Sequence, residues 1–498
     1  MIMKTTHIFH LWQKTGLGLT MVVSMMLLSC HSPMPDAKQN GRLPAIFPDY
    51  ADITIPPNIA PLNFIIHEPG DRYIAIFSYG TKNFFSIQTG DSVVKIPAGK
   101  WKKLMNAARG NDYTCEIMIR NDGKWTRFLP IVNHVAKDSI DSYLVYRLID
   151  PGFEIWNQMG IYQRCLENFD QQPVMINDLS DGNCMNCHAF CKNSSSAFMF
   201  HMRAKNAGTI ILRQGRLEKV DTKTPQTISP GVYPSWHPGG RYIAFSVNRI
   251  VQRFHALPGK RIEVQDTLSD IVLYDCATHT ISADSAIASK SRLETFPNWS
   301  PDGKFLYFCS ARMIAGNPYD KMKYDLLRIS FDAASKRFGA IDTIVSASKT
   351  GMSISFPRVS PDGKYLMFCM APYGNFSIWH KESDLYLLNL ATNDISKPMI
   401  NSEQSESYHS WSSSGRWIVF SSRRIDGLYT RPYFSYFDST GAAHKPFLLP
   451  QKDPGFYNSC MKSFNIPELV TGRIDLDPRD LAPVAKEKAI PSSFEQTP

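Results

Sequence analysis

Cys184-Met185-Asn186-Cys187-His188 is the stretch of this chain whose residue types and spacing point most directly to chemistry. Two thiols separated by two residues match the spacing of the two haem vinyl groups, and the imidazole that follows can reach the iron from the same side. At the chain's own Cys and His frequencies, an accidental C-x-x-C-H is expected roughly 0.005 times. The expectation is therefore a covalent haem c bound by Cys184 and Cys187, with His188 as the proximal ligand. His201, in the run FMFHMR, is the best distal candidate, flanked by Met199 and Met202. In a strand Met199 and His201 share one face and Met202 takes the other. A His on such a strand also serves as a hydrogen-bonded core residue. Three other readings of the thiols stay open: a Cys184–Cys187 or Cys187–Cys191 disulfide, a metal knuckle that recruits Cys191, and inert thiols. Three clustered cysteines fall short of the four that an iron–sulfur cluster needs.

The first thirty residues read as an address. Lys4 and Lys14 precede a 13-residue apolar run, Leu17–Ser29, too short for a helix that spans a bilayer. The run ends Leu27-Leu28-Ser29-Cys30, which resembles the lipobox of bacterial lipoproteins. That resemblance implies cleavage before Cys30, a lipid on its thiol and a lipid membrane as partner. His31 follows, with no acidic cluster nearby; by resemblance to known lipoprotein sorting signals, that implies the periplasmic face of the outer membrane over the cell surface. With Cys30 lipidated, nine of the ten cysteines remain. An odd number cannot pair completely within one chain. Cys309 and Cys369, which end FLYFC and YLMFC, read as buried free thiols.

Four segments repeat: YPSWHPGGRYIAFSVN (233–248), FPNWSPDGKFLYFCSA (296–311), FPRVSPDGKYLMFCMA (356–371) and YHSWSSSGRWIVFSSR (408–423). Each runs from an aromatic residue through a tight turn to an alternating strand. The turn glycines Gly240, Gly303, Gly363 and Gly415 supply the left-handed position that such a turn requires. The blade-opening strands are expected to start near 197, 241, 304, 364 and 416, the first of them in a degenerate copy at 197–213. Each unit is a small antiparallel sheet that buries its faces only by stacking on neighbours, and a radial array of such sheets is a β-propeller.

The WSPDGKxIxF pattern resembles the TolB-type propeller over about 197–450. Five blades are visible and that class usually has six, so flanking segments must build one. Val359 in place of Trp and SSSG in place of SPDG are departures in single turns. The block IYQRCLENFD…NCMNCHAF…FMFHMRAKNAGT further resembles lipoproteins of Bacteroidota that join a propeller to a C-x-x-C-H motif. The resemblance implies localisation more than activity.

The chain is expected to be all-β. Residues 44–150 carry short alternating runs broken by turn residues, the pattern of an immunoglobulin- or fibronectin-like β-sandwich. The expected order is signal peptide (1–29), tether (30–43), sandwich (44–150), a linker with the C-x-x-C-H motif (151–196), propeller (197–474) and tail (475–498). IYQRCLENFD is expected to give a short covering helix. The net charge of +9 is spread along the chain with no run of five basic residues, so no nucleic acid is expected as partner. No nucleophile elbow, H-E-x-x-H, P-loop or dinucleotide fingerprint occurs, and Asp302 and Asp362 belong to turns. Two functions remain: a haem-bearing lipoprotein for electron transfer or redox sensing with an unknown envelope or redox partner, or a non-haem interaction module with structural cysteines.

Overall fold

The computed structural model describes residues 35–150, 158–254 and 262–496. Residues 1–29, expected to be a signal peptide, and Cys30 lie outside the described residues.

Residues 37–135 form the N-terminal sandwich. A seven-stranded sheet centres on the long strand Asp112–Asn121, and a three-stranded sheet joins Ile46–Phe47, Phe64–Ile66 and Val93–Val94. The pairing is mixed, since Ala37–Asn40 and Thr54–Ile55 each join a neighbour in parallel. A helix, α1 (Ala98–Ala108), interrupts the strands. It buries Trp101, Leu104, Met105 and Ala108, spaced one helical face apart. Trp101 meets Phe77 and Tyr113 edge-on and donates to the Ile59 carbonyl. The sandwich shares one continuous hydrophobic core with blades 1 and 4 to 6 of the propeller. Tyr50 donates to the Leu448 carbonyl, and Trp417 donates to that of Asp138.

The rest is a six-bladed β-propeller. The innermost strands are Ser463–Val470 (blade 1), Met185–Phe190 (blade 2), Val232–Trp236 (blade 3), Arg292–Trp299 (blade 4), Ser353–Val359 (blade 5) and Glu406–Trp411 (blade 6). Each repeat segment thus supplies an inner strand before its turn glycine and the second strand of the same blade after it. The strand openings expected near 197, 241, 304, 364 and 416 are the second strands. Gly240, Gly303, Gly363 and Gly415 have φ of 69°, 74°, 71° and 67°. In the two SPDG turns, Asp302 and Asp362 accept from Ser300 and Ser360 and from the backbone N–H two residues on.

Blade 1 is the one that the repeats leave unmarked. Its outer strands, Tyr143–Ile149, Gly160–Cys165 and Gln171–Ile176, come from before the repeats, and its inner strand comes from the far end of the chain. One blade made from both ends locks the ring. The expected linker at 151–196 is therefore corrected: it contributes two strands to blade 1 and the inner strand of blade 2. IYQRCLENFD is a strand and turn, not a helix. The tail also has structure. Helix α2 (Pro478–Lys486), capped by Asp477, buries Leu481 and Ala485, while Ile490–Pro491 and Ser493–Gln496 add a fifth strand to blades 2 and 3.

Candidate functional site: the propeller axis

In every blade the inner strand slips register midway against the second strand, leaving two residues in a bulge. The first bulge residue has positive φ in all six: Ile466 (53°), Cys187 (53°), Tyr233 (48°), Phe296 (53°), Phe356 (52°) and Tyr408 (47°). A non-glycine residue held there costs on the order of 1 kcal/mol. Packing across the axis offsets it. Tyr233, Phe296, Phe356 and Tyr408 touch in sequence, with ring centroids 4.5, 4.2 and 5.1 Å apart. Cys187 stands at the same bulge position in blade 2, between those of Tyr233 and Ile466. Together these side chains plug the channel.

The second bulge residue is Pro467, His188, Pro234, Pro297, Pro357 or His409. Cys187-His188 therefore occupies the blade position that Tyr408-His409 fills in blade 6. His409 Nε2 donates to the Met367 carbonyl at 2.9 Å, whereas neither ring nitrogen of His188 has a hydrogen-bond partner. The carbonyls of Ile466 and Val145 lie near enough to favour its protonated form slightly without the geometry of a hydrogen bond. Burial outweighs them, and with Arg147 beside it the His188 pKa falls to about 3.

The structure separates the other candidates. Cys184 packs with Met185, Phe198 and Met202 on the side of blade 2 that faces blade 1. Cys191 and Met199 pack on the side facing blade 3. His201 pairs with Asn186 and Thr209 across the sheet, and its Nδ1 lies 3.0 Å from the Thr209 hydroxyl. His201 thus shares the face of Met199, opposite to that of His188, as a bonded core histidine whose pKa burial lowers to about 3. A distal role for His201 opposite His188 would have to cross the sheet. All nine described cysteines are free thiols. Among the described residues no three His, Cys, Asp or Glu side chains are grouped to hold a metal ion. For a haem, His188 supplies an unpaired donor beside two thiols, but not space: Cys184, Cys187 and His188 keep 7%, 6% and 2% exposure because the blades already cover them.

Above the plug, on the side of the turn glycines, the axis opens into a funnel of about 430 Å³. The residue after each bulge faces it: Glu468, Ala189, Ser235, Asn298, Arg358 and Ser410. Trp236, Trp299 and Trp411 stand behind them. Trp236 and Trp411 donate to the carbonyls of Ala189 and Arg358, whereas the buried Trp299 Nε1 has no partner. Burial raises the Glu468 carboxyl to about 7 against the pull of Arg358, and burial lowers the Arg358 guanidinium. A ring of small polar groups thus holds one acid and one base. Sequence reasoning missed both, because Glu468 lies in the unmarked blade and Arg358 sits where other repeats carry Ser or Asn.

No protein-family model matches the chain, and no curated protein matches it. Solved structures do. A nidogen/laminin complex is similar at 8% identity and a TM-score of 0.36, over 61% of this chain and 93% of that one. Prolyl oligopeptidase B from Galerina marginata, bound to a 35mer substrate, is similar at 11% identity and a TM-score of 0.34, over 68% of this chain and 42% of that one. Porphyromonas gingivalis dipeptidyl peptidase 4 is similar at 11% identity and a TM-score of 0.28, over 68% and 58%. The neighbours include propeller-containing proteins.

Proposed function

We propose that this chain is a binding module of the cell envelope, a TolB-like propeller held at the outer membrane by lipid on Cys30, whose ligand seats in the funnel above the plug. The observation that carries the reading is the pairing of Glu468 and Arg358 in one half-buried ring, with the unpartnered Trp299 N–H beside them. No salt bridge joins the two charges directly, so a ligand with a cationic and an anionic group can satisfy both. A short peptide has that chemistry. The plug closes the floor, so the ligand enters and leaves by the funnel mouth.

Trp236, Trp299 and Trp411 give the test an internal signal. Titrating the soluble Cys30→Ala protein with zwitterionic di- and tripeptides should change its tryptophan emission saturably, and Arg358→Ala should weaken binding at least tenfold. The reading is abandoned if no peptide gives a saturable change, or if Arg358→Ala binds as the parent does. Recovery of the Cys30→Ala protein only with detergent would sink the lipid anchor. Covalent haem at Cys184 and Cys187 is the second reading, favoured by the orphaned nitrogens of His188. It requires the blades to pack around the group in place of the contacts described above.

A further inference from the structure

We propose that the underside of blade 4 is a second binding site, for small polyvalent oxyanions of the phosphate or carboxylate type. It is independent of the funnel and lies at the other end of the blade. A cavity of about 840 Å³ opens there, between the loops that enter and leave blade 4. The repeat supplies its own reference. Glu294 in blade 4 and Glu406 in blade 6 stand at the same step before the bulge, opposite Ser310 and Ser422, with Arg312 and Arg424 two residues further on.

In blade 6 that set is closed. Glu406 is bound by Ser422 at 2.7 Å, by Ser402 through hydroxyl and backbone N–H at 2.6 and 3.0 Å, and by Arg424 at 3.1 Å. In blade 4 it is open. Arg312 is exposed and forms no ion pair with Glu294, whose contacts to Ser289 and Ser310 are long, at 3.4 and 3.5 Å. The cavity lies where the closed set would be.

Its charge selects the ligand. Arg292 is committed to Asp325 at 3.1 Å, which leaves Arg312, Lys321 and Lys323 as cations on the wall. Lys323 also donates to the Gly351 carbonyl. Glu294 is 1% exposed. Burial, with a smaller push from Asp270 of blade 3, raises its carboxyl to about 8 against the pull of Ser289, Arg292 and Ser310. Tyr324 lies within its electrostatic reach. Near neutral pH, Glu294 therefore presents a neutral O–H that donates to an anion while the three cations hold its charge. Ionising Glu294 replaces that donor with a negative charge. Binding should weaken as pH rises through about 8.

Isothermal titration of the purified protein with inorganic pyrophosphate and with citrate tests this and separates phosphate from carboxylate ligands. Expected are saturable binding of at least one probe at pH 7, a loss of tenfold or more in Arg312→Ala, and a roughly tenfold loss in the parent between pH 7 and 9. Glu294→Gln, which keeps a donor but cannot ionise, should bind equally at both values. The proposal is overturned if neither probe binds, if Arg312→Ala binds like the parent, or if Glu294→Gln follows the parent's pH profile. Binding that survives Arg312→Ala but is lost in Arg358→Ala would assign the anion to the funnel instead.

Discussion

His188 and His409 stand at the same bulge position in blades 2 and 6, and what their ring nitrogens meet sets them apart. His409 has the Met367 carbonyl, whereas His188 has no hydrogen-bond partner. A buried polar group left unpaired costs about 1–3 kcal/mol, and replacing it with an apolar group of similar shape can be neutral or stabilising. His188→Leu should therefore leave unfolding free energy within about 1 kcal/mol of the parent or raise it, while His409→Leu should lower it by about 1–3 kcal/mol by orphaning Met367. Denaturant unfolding of the two variants side by side checks this. A larger loss in His188→Leu than in His409→Leu would mean that the His188 nitrogens hold something in the native protein. A visible haem α-band in the parent, produced with a working attachment system and lost in His188→Leu, would identify it.

The blade is the element that carries the fold, and its inner strand is the part the chain can least do without. Ser463–Val470 completes blade 1 after about 290 intervening residues, joining the ends of the ring as a long closed loop. Truncation before Ser463 should abolish cooperative unfolding. Truncation after Ile474 removes only helix α2 and two edge strands, so the ring should stay folded and lose a few degrees in melting temperature. Circular dichroism melts of both truncations check it, and a cooperative melt in the shorter one would contradict the closure. The same element explains what sequence made legible. Blades 3 to 6 announce themselves because an aromatic bulge residue and a glycine turn recur together, as in Phe296…Gly303 and Phe356…Gly363. Blades 1 and 2 keep the bulge but lose that signature. Ile466-Pro467-Glu468-Leu469 and Cys187-His188-Ala189-Phe190 align with Phe296-Pro297-Asn298-Trp299 only once backbone register is known. Cys187-His188 was legible as chemistry and not as architecture, because the two thiols hide a repeat whose constant feature is a dihedral angle. Helix α1 was hidden differently: its apolar face lies within a run of strand-like segments.

For the whole molecule, the buried titratable groups set a pH range of greatest stability. His188, His201 and His409 are each lowered from 6.5 to about 3, chiefly by burial. Between those values the unfolded chain binds protons that the native chain refuses, so their contribution is present above 6.5 and lost as pH falls towards 3. The carboxyls behave oppositely. Burial raises Asp266 from 3.8 to about 7, although Asn248 and Asn375 bond to it, and raises Glu294 from 4.5 to about 8. Glu468 moves from 4.5 to about 7. Across those windows the native chain holds protons that the unfolded chain has released, so stability falls as pH rises through them. Between about 4.5 and 6.5 the two sets oppose each other; above 6.5 the histidines' contribution is complete and no longer changes with pH, so the carboxyls alone set the slope. Each deeply buried carboxyl then removes about 1.4 kcal/mol per pH unit until it ionises in the native state. The melting temperature should be nearly level from about pH 4.5 to 6.5, decline from 6.5 to 8, and drop again below about 4. Asp266→Asn combined with Glu294→Gln should flatten the alkaline decline while leaving the acid drop in place. A melting temperature that climbs between pH 6 and 8 in the parent would show that these carboxyls are ionised in the native protein.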